Sequence, residues 1–434
     1  MATTYLKRAD KNPTTGEDDT RAVVNRMLAE IEHGGEAKAL DYARELDGFD
    51  GEVVVSAEAV ESAAAALPQA VKDDIRFSYD RVRQFAEAQR ASMTEFETEL
   101  SPGLFAGQRL VPVVTAGCYV PGGRYAHVAS AVMSVTTAKV AGVRNVVVCS
   151  PPNREHGGCH PAIIYTAHLC GADTILNLGG VQGVAALAFG LFTGHPADII
   201  VGPGNRFVAE SKRVLFGRVG IDLFAGPTEV LVIADDEADP FLVASDLVGQ
   251  AEHGPDSPAW LVALSHSVAE AAMAQIPACI ARLPEPNRGA AETAWRDYGE
   301  VVVVDSREEA VEISDRYAPE HLEVHAADLD WWLANLSNYG SLFLGEETTV
   351  AYGDKCSGTN HILPTRGAAR YTGGLSVGKF IKTVTWQRMT RDANRSVGVA
   401  SSRISRLEGM EGHALTGDDR LGKYFPDESF TLRP

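Results

Sequence analysis

In 434 residues, 58 acidic side chains outnumber 39 basic ones, for a formal charge of −19. That acid excess argues against a surface built for nucleic-acid backbones or anionic membranes, and 45% hydrophobic with 22% charged residues fits a soluble chain long enough for two or more domains. No apolar run reaches the roughly 18 residues of a membrane span, and the opening MATTYLKRADKNPTTGEDD lacks the apolar core of a secretory signal.

The first 100 residues read as helical. Val23, Val24, Met27, Leu28 and Ile31 form a helix face that Gly34-Gly35 interrupts, and a second helix runs on to Gly48. Ser56 is placed to N-cap an Ala-rich helix ending near Pro68, followed by a long helix to about Glu95. Around Leu104–Val114 the period shifts toward short strands. From Ala116 the rhythm is strand–helix–strand, with apolar strands at Asn145–Cys149, Thr174–Leu178, Ala197–Val201 and Ile221–Phe224. It restarts with strands at Val230–Ala234, Trp260–Ser265 and Val301–Val304 around helices Phe241–Glu252 and Val268–Leu283. Strands this apolar are covered on both faces, so two tandem doubly wound, incomplete Rossmann-like parallel-sheet domains are expected, with helical N- and C-terminal extensions. Six scattered cysteines without a C-x-x-C pair argue against a thiolate zinc cluster and for reduced thiols in a cytoplasmic protein.

Five segments carry chemistry. Gly202-Pro203-Gly204-Asn205 opens a helix after an apolar strand and is either a phosphate cradle or a plain tight turn, since Phe207 replaces the third glycine of G-x-G-x-x-G. Gly179-Gly180-Val181-Gln182 is similarly ambiguous. Gln250 and His253 share one face at a helix end, where they suit a metal or a helix dipole. Glu320-His321 joins an acid to a group titrating near neutrality, but neighbours on a strand face opposite ways unless Pro319 breaks the geometry. Gly353-Asp354-Lys355-Cys356-Ser357-Gly358-Thr359-Asn360-His361 reads as a polar functional loop.

Taken in order, GCYVPGG (117–123), LGGVQGVAAL (178–187), VGPGNRFVAESKR (201–213), IDLFAGPTEVLVIAD (221–235), DLVGQAEHGPDS (246–257), APEHLEV (318–324) and GDKCSGTNHILPT (353–365) resemble the histidinol dehydrogenase family over nearly the whole chain. The resemblance implies a four-electron oxidation of a primary alcohol to a carboxylate through a bound aldehyde, using one Zn2+ per subunit and NAD+. It implies zinc ligands Gln250, His253, Asp354 and His413, the last from a partner subunit, hence a homodimer with shared sites. It implies His321 as general base, Glu320 as activator of the attacking water, and Tyr119, Gln182 and Asn205 as nucleotide contacts. Thr228 (in place of the usual Ser), Glu408 and His361 match substrate-contacting positions, alongside the ligands Gln250, His253, Asp354 and His413 and the base His321. The expected division is an extension over 1–25, a first α/β domain from 26–118 and 226–368, a second over 119–225, and an extension over 369–434 reaching the partner.

Departures point within the family. His127-Val128-Ala129 stands where the family has Tyr-Pro-Ser, Lys355-Cys356 follows the ligand aspartate in place of Tyr-Ala, and 369–387 also differs. These features resemble a paralogous branch, the sulfopropanediol 3-dehydrogenases, which oxidise 2,3-dihydroxypropane-1-sulfonate to 3-sulfolactate. Lys355, Arg124 and His127 are cationic or N–H donors suited to a sulfonate, whereas Glu408 matches a position the family uses beside a cationic substrate group. Oxidation of L-histidinol to L-histidine is the alternative, and a zinc hydrolase or non-catalytic zinc protein the alternative from another class.

Overall fold

The computed structural model describes residues 4–11, 17–122, 125–223 and 226–433, with the backbone alone at Glu17 and Asp18. Fourteen strands are described: β1 (Thr4–Lys7), β2 (Phe96–Ser101), β3 (Leu104–Pro112), β4 (Thr115–Tyr119), β5 (Asn145–Ser150), β6 (Thr174–Asn177), β7 (Ile199–Val201), β8 (Gly220–Ile221), β9 (Val230–Ala234), β10 (Ala259–Ala263), β11 (Glu300–Val303), β12 (His321–His325), β13 (Ser341–Leu344) and β14 (Ile381–Met389). They fall into two compact units, one of Met1–Arg90 with Val113–Phe380, the other of Ala91–Pro112 with Ile381–Pro434.

The larger unit holds two sheets. One has the order β6-β5-β4-β7-β8, all parallel. The other has the order β1-β11-β10-β9-β12-β13, parallel except for the antiparallel edge strand β1. Both wind outward from a central strand in the same doubly wound way, β4 in one and β9 in the other. The cause is visible in the burial: β4, β9 and β12 are buried at every position, as strands covered by helices on both faces must be. Val24, Met27, Leu28 and Ile31 of the N-terminal helix share a core with Leu176 of the five-stranded sheet and with Val184 and Leu187 of the helix Gly180–Phe189 that covers it. That helix, Glu17–Tyr42, has its expected break at Gly35, whose φ of 60° no helix accommodates. Ser56 caps Ala57–Ala66 by accepting from the Ala59 amide at 3.2 Å. Where short strands were expected around Leu104–Val114, one nine-residue strand, β3, runs unbroken because it is paired along its length with β14. The end of the expected strand at Phe224 lies outside the described residues.

In the smaller unit, β14, β3 and β2 form an antiparallel sheet in that order. Helices Arg391–Leu407 and Glu411–Tyr424 pack on each other there. Small residues allow the approach: Gly398 meets Leu421, and Ser402 Oγ donates to the Ala414 carbonyl at 3.2 Å. No described helix is long and apolar enough to cross a membrane.

Candidate active site

Two neighbourhoods of the larger unit gather the candidate residues. The first lies at the carboxyl ends of β4, β6 and β7, where the winding of the sheet reverses and open α/β sheets place ligands. A cavity of about 550 Å³ there is lined by Tyr119, Gln182, Asn205, His127 and Asp47, among others. Tyr119 Oη accepts from the Gly180 amide at 3.0 Å, and Asn205 Oδ1 caps the helix Arg206–Leu215 by accepting from the Phe207 and Val208 amides. Two helices thus begin at this wall, at Gly180 and at Arg206. The Gly202 turn is built in. Its φ is +113°, and a Cβ there would collide with the Tyr119 carbonyl oxygen. Its N–H donates to Asp222 Oδ2 at 2.8 Å, its carbonyl accepts from Lys212 Nζ at 2.9 Å, and Lys212 and Asp222 form a buried ion pair. Gln182 Nε2 donates to Asp47 Oδ2 at 2.8 Å while its buried Oε1 has no partner. That orphan oxygen, the helix N-termini and the volume fit a dinucleotide with its pyrophosphate at the amide-rich end.

The second neighbourhood sits at the amino ends of β9 and β12. Ala318, in the left-handed region at φ 49°, and Pro319 break the approach to β12, so the adjacent Glu320 and His321 face the same space. Glu320 Oε2 lies 3.5 Å from His321 Nδ1 and accepts from Thr228 Oγ1 at 2.6 Å and the Glu229 amide at 2.9 Å. Gln250, in the last turn of the helix Pro240–Ala251, places Nε2 2.5 Å from Thr228 Oγ1 and 3.1 Å from His321 Nδ1. Its Oε1 is thereby turned away from Thr228. His253 follows the helix end, its amide held by the Gln250 carbonyl. Asp354 Oδ1 is 3.4 Å from His321 Nε2, and the Asp354 carbonyl lies 2.8 Å from His361 Nδ1. Contrary to the expected loop, Asp354 rides on a short helix, Val350–Lys355, whose first amide is accepted by the buried carboxylate of Glu323 at 2.7 Å. Lys355 is largely exposed, with Nζ 3.9 Å from Asp354 Oδ2.

Charge couples these groups. Burial works to lower the His321 imidazole, but the carboxylates of Glu320 and Asp354 outweigh it and push it up to about 9. Burial raises Glu320. Burial also disfavours the Asp354 anion, yet His321 holds it well below the carboxylate range. Desolvation lowers His253, opposed by Asp354 and reinforced by Lys355 and His321. His127 and His361 are lowered by burial, and both feel Lys355.

The structure therefore brings Glu320, His321, Gln250, His253, Asp354, Thr228, His361, Lys355 and His127 into one electrostatically linked cluster. Arg124 lies outside the described residues. Glu408 directly follows the helix Arg391–Leu407 and His413 lies in the first turn of Glu411–Tyr424; both belong to the smaller unit and are exposed there. Three groups escaped the sequence reading. Ser130 Oγ is 3.0 Å from His361 Nε2, and Asp47 anchors Gln182. Glu229 is buried with its carbonyl 2.9 Å from His321 Nδ1 and its carboxyl pushed by burial up to about 7. A lone acid heading an apolar strand was the available signal.

The donors at hand suit zinc. An amide oxygen, an imidazole and a carboxylate are available from Gln250, His253 and Asp354, and His321 Nε2 beside them is buried without a hydrogen-bond partner.

The family model described as histidinol dehydrogenase matches residues 10–421. The chain is 63% identical over 425 residues to a "Histidinol dehydrogenase homolog" of Pelagibacter ubique, covering 98% of this chain and 99% of that protein. It is 58% identical over 432 residues to the sulfopropanediol 3-dehydrogenase of Ruegeria pomeroyi, covering 100% and 99%. A crystal structure of histidinol dehydrogenase from Elizabethkingia anophelis superposes with a TM-score of 0.89 at 31% identity, covering 96% of this chain and 95% of that one. The chain belongs to the histidinol dehydrogenase family, enzymes of NAD-linked, four-electron oxidation of an alcohol to an acid.

Proposed function

We propose that this enzyme oxidises a small sulfonated diol, 2,3-dihydroxypropane-1-sulfonate, to 3-sulfolactate. The reading rests on 58% identity over the whole chain to a sulfopropanediol 3-dehydrogenase. Lys355 and His127, electrostatically linked to the His321–Asp354 cluster, agree with it as partners for a permanent anion.

Zinc would be held by Gln250, His253, Asp354 and His413, the last from a partner copy in a homodimer, and supplies a Lewis acid for the substrate oxygen. NAD+ would be held by Tyr119, Gln182 and Asn205 and would supply the hydride acceptor. The chain's own residues do the rest. The Glu229 carbonyl can only accept, so His321 Nδ1 carries a proton toward it; Nε2 takes the hydroxyl proton once the imidazole is neutral, a state that the upward shift to about 9 moves toward alkaline pH. Glu320, fixed through Oε2 by Thr228 and the Glu229 amide, takes the proton of the water that adds to the aldehyde. Lys355, His127 and Arg124 hold the sulfonate, while Thr228 and His361 orient the hydroxyl end, with Glu408 supplied by the partner copy that supplies His413.

The test is a substrate panel followed by NADH absorbance at fixed zinc. Turnover is expected with the sulfonate diol and none with L-histidinol; the reverse removes the substrate assignment. Oxidation of L-histidinol, the second reading, is favoured by Glu408 alone among the site residues.

A further inference from the structure

β12 carries two further ionisable residues on the face that bears His321, since positions two apart point the same way. These are Glu323 and His325, both buried. Opposite them the helix Pro240–Ala251 presents Asp246, one turn before Gln250. Each of the three offers one ligand atom, and those atoms all lie within 4.8 Å of one another.

The hydrogen bonding divides each carboxylate in two. Asp246 Oδ1 accepts from Thr349 Oγ1 at 3.0 Å, and Glu323 Oε1 accepts from the Val350 amide at 2.7 Å. Glu323 Oε2 and both ring nitrogens of His325 are buried without a hydrogen-bond partner. Asp246 Oδ2 faces His325 Nε2 at 3.4 Å. That spacing is longer than a good N–H···O bond of about 2.7–3.2 Å. It matches the edge of a tetrahedron with bonds of about 2.1 Å, the zinc–nitrogen and zinc–oxygen distance. One oxygen tied back to the protein with the other left free is how metal-binding carboxylates are oriented.

We propose that Asp246, Glu323 and His325 form a second divalent-cation site, distinct from Gln250, His253 and Asp354, with zinc-like ligand preference. Two carboxylates and a neutral imidazole balance a doubly charged ion, whereas without it two acids face one imidazole in a buried space. The Asp246 side chain, 17% exposed, is the member of the three that reaches solvent. The site also lies toward the carboxyl ends of β9 and β12, with His325 paired to Ala234, the side of a doubly wound sheet that ordinarily takes ligands. The proposed catalytic group occupies the amino ends of the same strands.

The experiment is zinc content per chain, by plasma mass spectrometry, of the full-length protein loaded with Zn2+ and freed of excess. Wild type is expected to hold two zinc ions, and His325→Gln and His253→Ala one each. If His325→Gln does not yield folded protein, Asp246→Asn at the rim replaces it, with the same loss expected. Wild type with a single zinc that only His253→Ala removes overturns the second site, as does a His325→Gln or Asp246→Asn chain that binds as much zinc as wild type. A loss in His325→Gln with none in His253→Ala supports the second site and refutes the zinc set of the proposed function instead.

Discussion

His321 is held at three points: its Nδ1 by the Glu229 carbonyl, its charge by Glu320, and its Nε2 beside Asp354. Exchange of His321 for Ala removes the base but none of the zinc donors, so metal content should persist while turnover falls by about 10²–10⁴; unchanged turnover would take His321 out of the mechanism. Glu320→Gln should slow aldehyde oxidation more than alcohol oxidation, read by supplying each substrate separately, because only the second step consumes water. Glu229 makes a stability prediction. Burial raises its carboxyl to about 7 from an ordinary 4.5, so folding favours the neutral acid. Its contribution is full below pH 4.5 and is lost as pH rises through about 7. Glu229→Gln cannot titrate and should flatten the melting temperature between those limits. Residues such as His321 and Asp354 were legible because each sits in a short motif dense with chemistry. Glu229, Glu323 and Asp47 were not, because each acts through a partner at least 27 positions away.

Among the elements, the turn after β7 depends on backbone more than on side chains. Gly202 has a positive φ and no room for a Cβ against Tyr119. Gly202→Ala should therefore cost about 1–3 kcal/mol in denaturant unfolding, and raise the KM for NAD+ as the turn is displaced. A variant as stable as wild type would show that the turn relaxes freely. The buried Lys212–Asp222 pair holds the same turn from below, and such pairs are costly to break from one side. The strand–helix alternation was readable because buried parallel strands are almost continuously apolar. The helix at Val350–Lys355 was not, because its start depends on the Glu323 carboxylate rather than on any local cap.

For the whole molecule, the tandem doubly wound plan of the larger unit followed from the sequence rhythm, and a histidinol dehydrogenase structure superposes on 96% of the chain. What periodicity could not reveal is which end of each sheet carries the candidate residues: the cavity proposed for the nucleotide lies at the carboxyl ends of one, the proposed catalytic cluster at the amino ends of the other. If His413 completes a partner's site, mixing inactive His413→Ala chains with inactive His321→Ala chains should restore part of the activity in heterodimers. Mixtures as dead as their components would exclude shared sites.

The alternation along β12 ties separate features to one geometric choice. His321, Glu323 and His325 share a face because they are spaced by two, and the bend at Ala318-Pro319 sets which face that is. One residue inserted or deleted in the strand's lead-in would rotate all three away together. The proposed proton acceptor and the two β12 residues of the proposed second cation site are thus inherited as a single block: neither can drift in sequence position without the other, and length changes in this connection should be purged far more strictly than substitutions beside it.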